Sequence, residues 1–139
     1  MKKHYQETLK DYFQSKESII AAYLYGSRAT GKGSELSDID IAVLTEHYKD
    51  PLISHRERAR YQMELSHLLQ QEVDIVFLQE AGEILALQIF KNGLLFFERN
   101  REYHRAFRAI RLVQCLDFLY LEKQMQQGMI AAMKGQSHG

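Results

Sequence analysis

Apolar side chains recur through this chain in two distinct rhythms. Residues 3–17 place Tyr5, Leu9, Tyr12 and Phe13 among polar neighbours, a spacing that predicts an amphipathic helix. The run SIIAAYLYG, 18–26, is instead continuous in β-branched and aromatic residues and predicts a short buried strand stopped by Gly26. DIDIAVLT, 38–45, predicts a second strand, polar at its entrance and apolar beyond. After Pro51, the Ser54-x-x-Glu57 spacing is a capping-box signature, and Tyr61, Leu65, Leu68 and Leu69 give the next helix its inner face. VDIVFL, 73–78, predicts a third strand, GEILALQIFKNG a helix closed by Gly93, and LLFFE a fourth, short strand. From residue 100 a long final helix is expected to run to about 127, ending near Gly128. The alternation predicts a small mixed α/β domain, its sheet covered by about five helices.

Length and charge narrow this picture. The chain has 139 residues, enough for one sizeable core, and no internal repeat or Pro/Gly-rich linker. A single domain over 1–134 is expected, with a core of about 5–97 and a flexible tail over 135–139. Eighteen basic and eighteen acidic residues cancel, so no global field draws the chain to a nucleic acid or an anionic membrane, and direct nucleic-acid binding is not expected. No stretch approaches the roughly 18 apolar residues of a membrane span, and the start lacks a signal peptide's apolar core. The lone Cys115, set among Ile110, Leu112, Val113 and Leu116, reads as a buried small hydrophobe. The expected location is the cytoplasm.

The chemistry concentrates in YGSRATGKGSELSDID, residues 25–40. Successive strand side chains alternate faces, so Asp38 and Asp40 point the same way with Cα atoms roughly 6.6 Å apart, while Ile39 and Ile41 point into the core. Two carboxylates so placed repel unless a cation, a basic partner or solvent offsets them. They suit a hard cation such as Mg²⁺, with phosphate oxygens completing its shell. Asp74 interrupts the third strand in the same manner, and if that strand neighbours the second, all three acids surround one site. In two-metal phosphoryl or nucleotidyl transfer, Asp74 on the acceptor side is then a candidate general base. Gly26 admits a phosphate close to the backbone, Ser27 offers a hydroxyl and an N–H, and a helical turn over 34–37 can aim further N–H groups at the anion. Arg28 and Lys32 add positive charge, and Gly31 and Gly33 keep the loop pliable. The joint pattern of Gly-Ser, ten residues, then Asp-x-Asp arises by chance in a chain of this length on the order of once in 500.

These residues resemble the motif of the DNA polymerase beta superfamily of nucleotidyltransferases, and the short chain resembles its minimal nucleotidyltransferase (MNT) branch. The resemblance covers about 5–97. It implies a polymerase beta-like fold in which Gly26, Ser27 and Arg28 hold the triphosphate of ATP. It further implies that Asp38, Asp40 and Asp74 bind two Mg²⁺ ions and that Asp74 activates the acceptor. Minimal members are commonly antitoxins paired with HEPN ribonuclease toxins, so the implied reaction is transfer of AMP from ATP to a tyrosine of the toxin. Two rivals stand beside it: an aminoglycoside-type small-molecule nucleotidyltransferase, and a non-catalytic antitoxin that blocks its partner by binding.

The final helix bears on the partner. Phe107, Ile110, Leu112, Val113, Leu116, Phe118, Leu119, Tyr120 and Leu121 wrap most of its circumference, a pattern that fits a buried core helix or, with part of the surface exposed in a monomer, a hetero-oligomeric contact with the toxin. Arg101, Arg105, Arg108 and Arg111 lie along one side, a stripe compatible with a solvated face, an acidic partner or the nucleotide cleft. The Arg-x4–6-His spacing of HEPN toxins occurs twice, at Arg99/His104 and Arg60/His67. Arginines and histidines are frequent enough here that it carries no weight.

Overall fold

The computed structural model describes residues 2–26, 38–46, 48 and 50–137. Its elements follow the order α1 (Lys2–Gln14), β1 (Ile19–Tyr25), β2 (Ile39–Thr45), α2 (Pro51–Leu69), β3 (Val73–Phe77), α3 (Glu83–Asn92), β4 (Leu94–Glu98) and α4 (Arg101–Ser137). The described residues thus hold four helices rather than about five, and the turn expected over 34–37 lies outside them. The four strands form one mixed sheet in the order β3-β2-β1-β4. β1 runs antiparallel to β2 and to β4, whereas β2 and β3 are parallel. The sequence order of strands and helices is the one that the apolar pattern predicts.

Side-chain alternation divides the core between the two faces of the sheet. Ile19, Leu24, Ile39, Ile41, Val43, Ile75 and Phe77 pack beneath α1 and α2, against Leu9, Phe13 and Leu65. Ala21, Tyr23, Ala42 and Leu44 face the other way, toward Ala86 and Ile89 of α3 and Cys115 of α4. Cys115 is fully buried, as its apolar neighbours suggest. Truncating one of these side chains, Ile41→Ala for example, removes buried surface and leaves a cavity at a cost of about 2–5 kcal/mol.

Three local readings change. α2 is capped by Asp50, whose side chain accepts from the Leu52 N–H at 2.9 Å, and Pro51 begins the helix. Asp-Pro therefore outcompetes the Ser54-x-x-Glu57 box, because Pro at the first helical position has no N–H to leave unsatisfied. Ser54 sits inside the helix and donates to the Asp50 carbonyl at 3.0 Å. Leu68 is exposed rather than on the inner face, which Tyr61, Leu65 and Leu69 complete. Finally, α4 passes through Gly128 and continues to Ser137, so the expected stop near 127 and part of the expected tail are helical. An isolated glycine in a helix costs only about 1 kcal/mol relative to alanine, and no proline follows to end it.

α4 is anchored at its first turns by a buried polar chain. The Tyr23 hydroxyl lies 2.5 Å from His104 Nε2, and His104 Nδ1 lies 2.5 Å from Glu98 Oε2. Burial pushes the Tyr23 hydroxyl up from 10.0 to about 12, with Arg108 pulling it back and Glu98 adding to the rise. Burial likewise raises Tyr12, whose hydroxyl donates to Glu64 at 2.6 Å, and Tyr61. A group whose folded value is raised contributes stability that is complete below its unfolded value and lost as pH climbs through the folded one. The part of the unfolding free energy that these tyrosines supply, read by urea titration, should therefore hold level up to pH 10 and fall as pH climbs from 10 to 12. In Tyr23→Phe the fall should be shallower, on a baseline lowered by about 1–3 kcal/mol because His104 loses a buried partner.

Candidate active site

The two hydrophobic faces dictate where the acids go. Ile39, Ile41 and Val43 enter the core under α1 and α2, which forces Asp40 onto the opposite face of β2. Val73, Ile75 and Phe77 do the same to Asp74 in β3. The parallel register then sets Asp40 directly beside Asp74, and the antiparallel register sets Tyr25 on the other side of Asp40. Strand spacing of about 4.8 Å makes Tyr25, Asp40 and Asp74 a row across three strands. Asp38 stands two residues ahead of Asp40, exposed, at the entrance to β2.

The row is electrostatically strained. Burial, then Asp74, then Asp38 raise the Asp40 carboxyl above its ordinary value of 3.8. Burial, then Asp40 and Asp74, push the Tyr25 hydroxyl up to about 12. Gly26 meets the same carboxylate from the backbone side. It adopts φ +76°, and a Cβ placed there would stand 2.5 Å from Asp40 Oδ2. Glycine is needed twice at this corner, once for the left-handed backbone and once for the close approach.

Helix α2 holds the strand of Asp74 in place. β3 is an edge strand, and its outward N–H groups are taken up by α2 side chains: Val73 N–H donates to Ser66 Oγ at 3.0 Å and Ile75 N–H to Gln62 Oε1 at 2.9 Å. Two clefts flank the row. One of about 450 Å³ includes Asp74, Tyr25, Leu85, His55 and Arg58 in its lining. The other, of about 280 Å³, is lined by Tyr25, Gly26, Leu85, Gln88, Asn92 and Gly93. Arg58 is held at the first by His55 Nδ1 at 2.7 Å and Glu80 Oε2 at 3.3 Å.

Asp38, Asp40 and Asp74 are therefore neighbours, with Gly26 against the middle one. Ser27 and Arg28 lie outside the described residues, as do Gly31, Lys32 and Gly33. Among the described residues no three His, Cys, Asp or Glu side chains close into a metal cage. The donor set nevertheless fits magnesium, which takes carboxylate oxygens one or two at a time and leaves other positions to phosphate and water. The Asp40 carboxyl, crowded by two like charges, is the group such a cation would relieve. Tyr25, His55, Arg58 and Gln62 escape sequence reading, because only the register and the docking of α2 bring them to the acids. The Arg-x4–6-His pairs are structural or exposed. Arg99 donates to the carbonyls of Phe13, Gln14 and Ile19 at 3.0, 2.8 and 3.0 Å, His104 is buried, and His67 is exposed.

The family described as Polymerase beta, Nucleotidyltransferase matches residues 7–102. The chain belongs to that family. No curated protein matches it significantly. Among solved structures, a crystal structure of a toxin-antitoxin with AMP-PNP matches at 24% identity and TM-score 0.61, over 84% of this chain and 86% of that one. A re-refined complex of tri-AMPylated Shewanella oneidensis HEPN toxin with MNT antitoxin matches at 20% identity and TM-score 0.65, over 96% and 98%. A putative minimal nucleotidyltransferase matches at 27% identity and TM-score 0.50, over 64% and 93%. The polymerase beta-like nucleotidyltransferase fold expected from the Gly-Ser and Asp-x-Asp residues is thus the fold of this family member.

Two substitutions probe the corner. In Gly26→Ala the left-handed backbone alone costs about 1–2 kcal/mol. The new Cβ also displaces Asp40, so nucleotidyl transfer should fall far more than a melting curve would suggest. Asp40→Asn should raise the melting temperature in EDTA. The folded carboxyl is raised, so its stabilising contribution is present at acid pH and lost as pH rises through its folded value, and the neutral amide escapes that loss. A lower melting temperature for Asp40→Asn in EDTA would contradict the strain.

Proposed function

We propose that this nucleotidyltransferase is an antitoxin that transfers AMP from ATP to a tyrosine of a partner HEPN-type ribonuclease toxin, silencing it in the cytoplasm. The observation that carries the chemistry is the register of Asp40 against Asp74, with Asp38 two residues ahead and Gly26 against Asp40. The likeness to toxin-antitoxin structures, one with AMP-PNP and one with tri-AMPylated toxin, supports the choice of acceptor.

In this reading Asp38, Asp40 and Asp74 would hold two Mg²⁺ ions, and Gly26, Ser27 and Arg28 would hold the triphosphate. Ions held there would supply positive charge that lowers the acceptor's pKa and offsets the charge of the leaving diphosphate. The cleft of about 450 Å³ beside Asp74 admits the acceptor ring among Tyr25, Leu85 and Val76. The tyrosine oxygen bonds to the α-phosphorus of ATP as the bond to the bridging oxygen breaks. Pyrophosphate leaves with that electron pair, and the tyrosine proton passes to the Asp74 carboxylate.

Helix α4 supplies the surface for the toxin. At 37 residues it extends about 55 Å, and beyond Cys115 it leaves Leu116, Tyr120, Leu121, Met125, Met129 and Met133 each more than half exposed. Apolar surface exposed along such a length suits a permanent partner. The same observation favours a second reading, neutralisation by occlusion alone.

With labelled ATP, Mg²⁺ and the cognate toxin, label should appear on a toxin tyrosine. Asp38→Ala/Asp40→Ala should reduce it at least ~100-fold, the scale of losing the groups that stabilise transition-state charge, while leaving the toxin bound through α4. Undiminished labelling by the double variant refutes the mechanism, and full protection of cells by that variant favours occlusion. Modification of an aminoglycoside panel by the chain alone would move the acceptor to small molecules.

A further inference from the structure

A cleft of about 330 Å³ lies where β1, β4 and the first turns of α4 meet, and Arg101, Arg105 and Arg108 line it together with Glu98, Tyr23 and His104. The arginines stand at i, i+4 and i+7 of α4, so they share one face of the helix, where like charges oppose one another. Arginines elsewhere find acids: Arg58 lies 3.3 Å from Glu80 and Arg111 4.0 Å from Glu83. None of these three makes an ion pair among the described residues. Glu98 is engaged by His104, and the chain is complete with a neutral imidazole, Nδ1–H donating to Glu98 and Nε2 accepting from Tyr23. Three guanidinium charges against one carboxylate leave the cleft positive in a chain whose net charge is 0.

Its position names the anion. Gly93, just before β4, lines both this cleft and the one that Tyr25 and Gly26 share, so the two approach each other at that residue. Asp74 stands on the opposite side of Asp40, in the edge strand. Attacking and leaving oxygens at a transferred phosphorus lie roughly in line. An acceptor that enters beside Asp74 therefore sends the leaving diphosphate toward β1 and β4, where the arginines are. The planar guanidinium fork matches phosphate oxygens in pairs.

We propose that the Arg101/Arg105/Arg108 cleft is a diphosphate site that takes the pyrophosphoryl end of the nucleotide. This assignment rests on the adenylyl-transfer reading but is tested apart from it. Arg101 and Arg105 are both exposed and make no hydrogen bond or ion pair through their side chains among the described residues, so Arg101→Ala/Arg105→Ala should melt like the wild type. Calorimetric titration of the full chain with inorganic pyrophosphate is done in EDTA, where no divalent ion can recruit the anion to the acids. The wild type should bind, and the arginine variant should bind about 10-fold or more weakly, the scale of losing charge-assisted hydrogen bonds. Asp38→Asn/Asp40→Asn should bind at least as well as the wild type. In turnover, a raised KM for ATP in the arginine variant assigns the cleft to the diphosphate of bound ATP. An unchanged KM with weaker inhibition by pyrophosphate assigns it to the released product, and both outcomes support the site. Equal pyrophosphate affinity in wild type and variant, or none in the wild type, overturns it. So does loss of toxin capture in the variant with pyrophosphate binding intact, which gives the arginines to an acidic partner surface. Pyrophosphate bound through the arginines without any labelling of toxin keeps the site and sinks the adenylylation instead.

Discussion

The pairing of β2 with β3 in parallel is the constraint on which the rest depends. Each strand sends alternate apolar residues into one core, Ile39, Ile41 and Val43 from β2 and Val73, Ile75 and Phe77 from β3. The residues between them have no choice of face. Because the registers match residue for residue, Asp40 and Asp74 become neighbours. A slip of one residue in either strand would move every apolar side chain to the wrong face, so hydrophobic burial guarantees a contact that electrostatics opposes. The fold in this way holds two carboxylates closer than they would choose.

Such strain is useful only where something relieves it. Asp40 sits under Gly26, whose lack of a side chain lets the turn approach the carboxylate, and Tyr25 shields its other flank. These features make Asp40 hard to ionise when alone and ready to accept a cation. Two residues back along β1, the same sheet face is closed by α3 and by the buried Tyr23, His104 and Glu98 chain that starts α4. One strand, β1, thus carries both the Gly26 corner beside the acids and the anchor of α4, with Tyr25 at one and Tyr23 at the other.

The sequence showed the strands, the order of the elements and the three acids, because each rests on local periodicity or on identities at fixed spacing. Boundaries chosen by competition between local signals were harder. Ser54-x-x-Glu57 is a sound cap pattern that loses to Asp50-Pro51 four residues earlier, and Gly128 is a sound stop signal that α4 passes through. Groups whose roles depend on register were invisible: Tyr25 beside Asp40, Gln62 on the free edge of β3, and His104 between Tyr23 and Glu98. Ser27 and Arg28, legible in the motif, lie outside the described residues.

The central claim is that a divalent cation relieves a repulsion the fold imposes on Asp40, and carboxyl-carbon NMR of Asp40 followed through a pH titration reads this directly. In EDTA the Asp40 resonance should titrate above 3.8, and with Mg²⁺ and a non-hydrolysable ATP analogue its midpoint should drop below the EDTA value. A midpoint that is the same in EDTA and in Mg²⁺ with nucleotide would contradict the account.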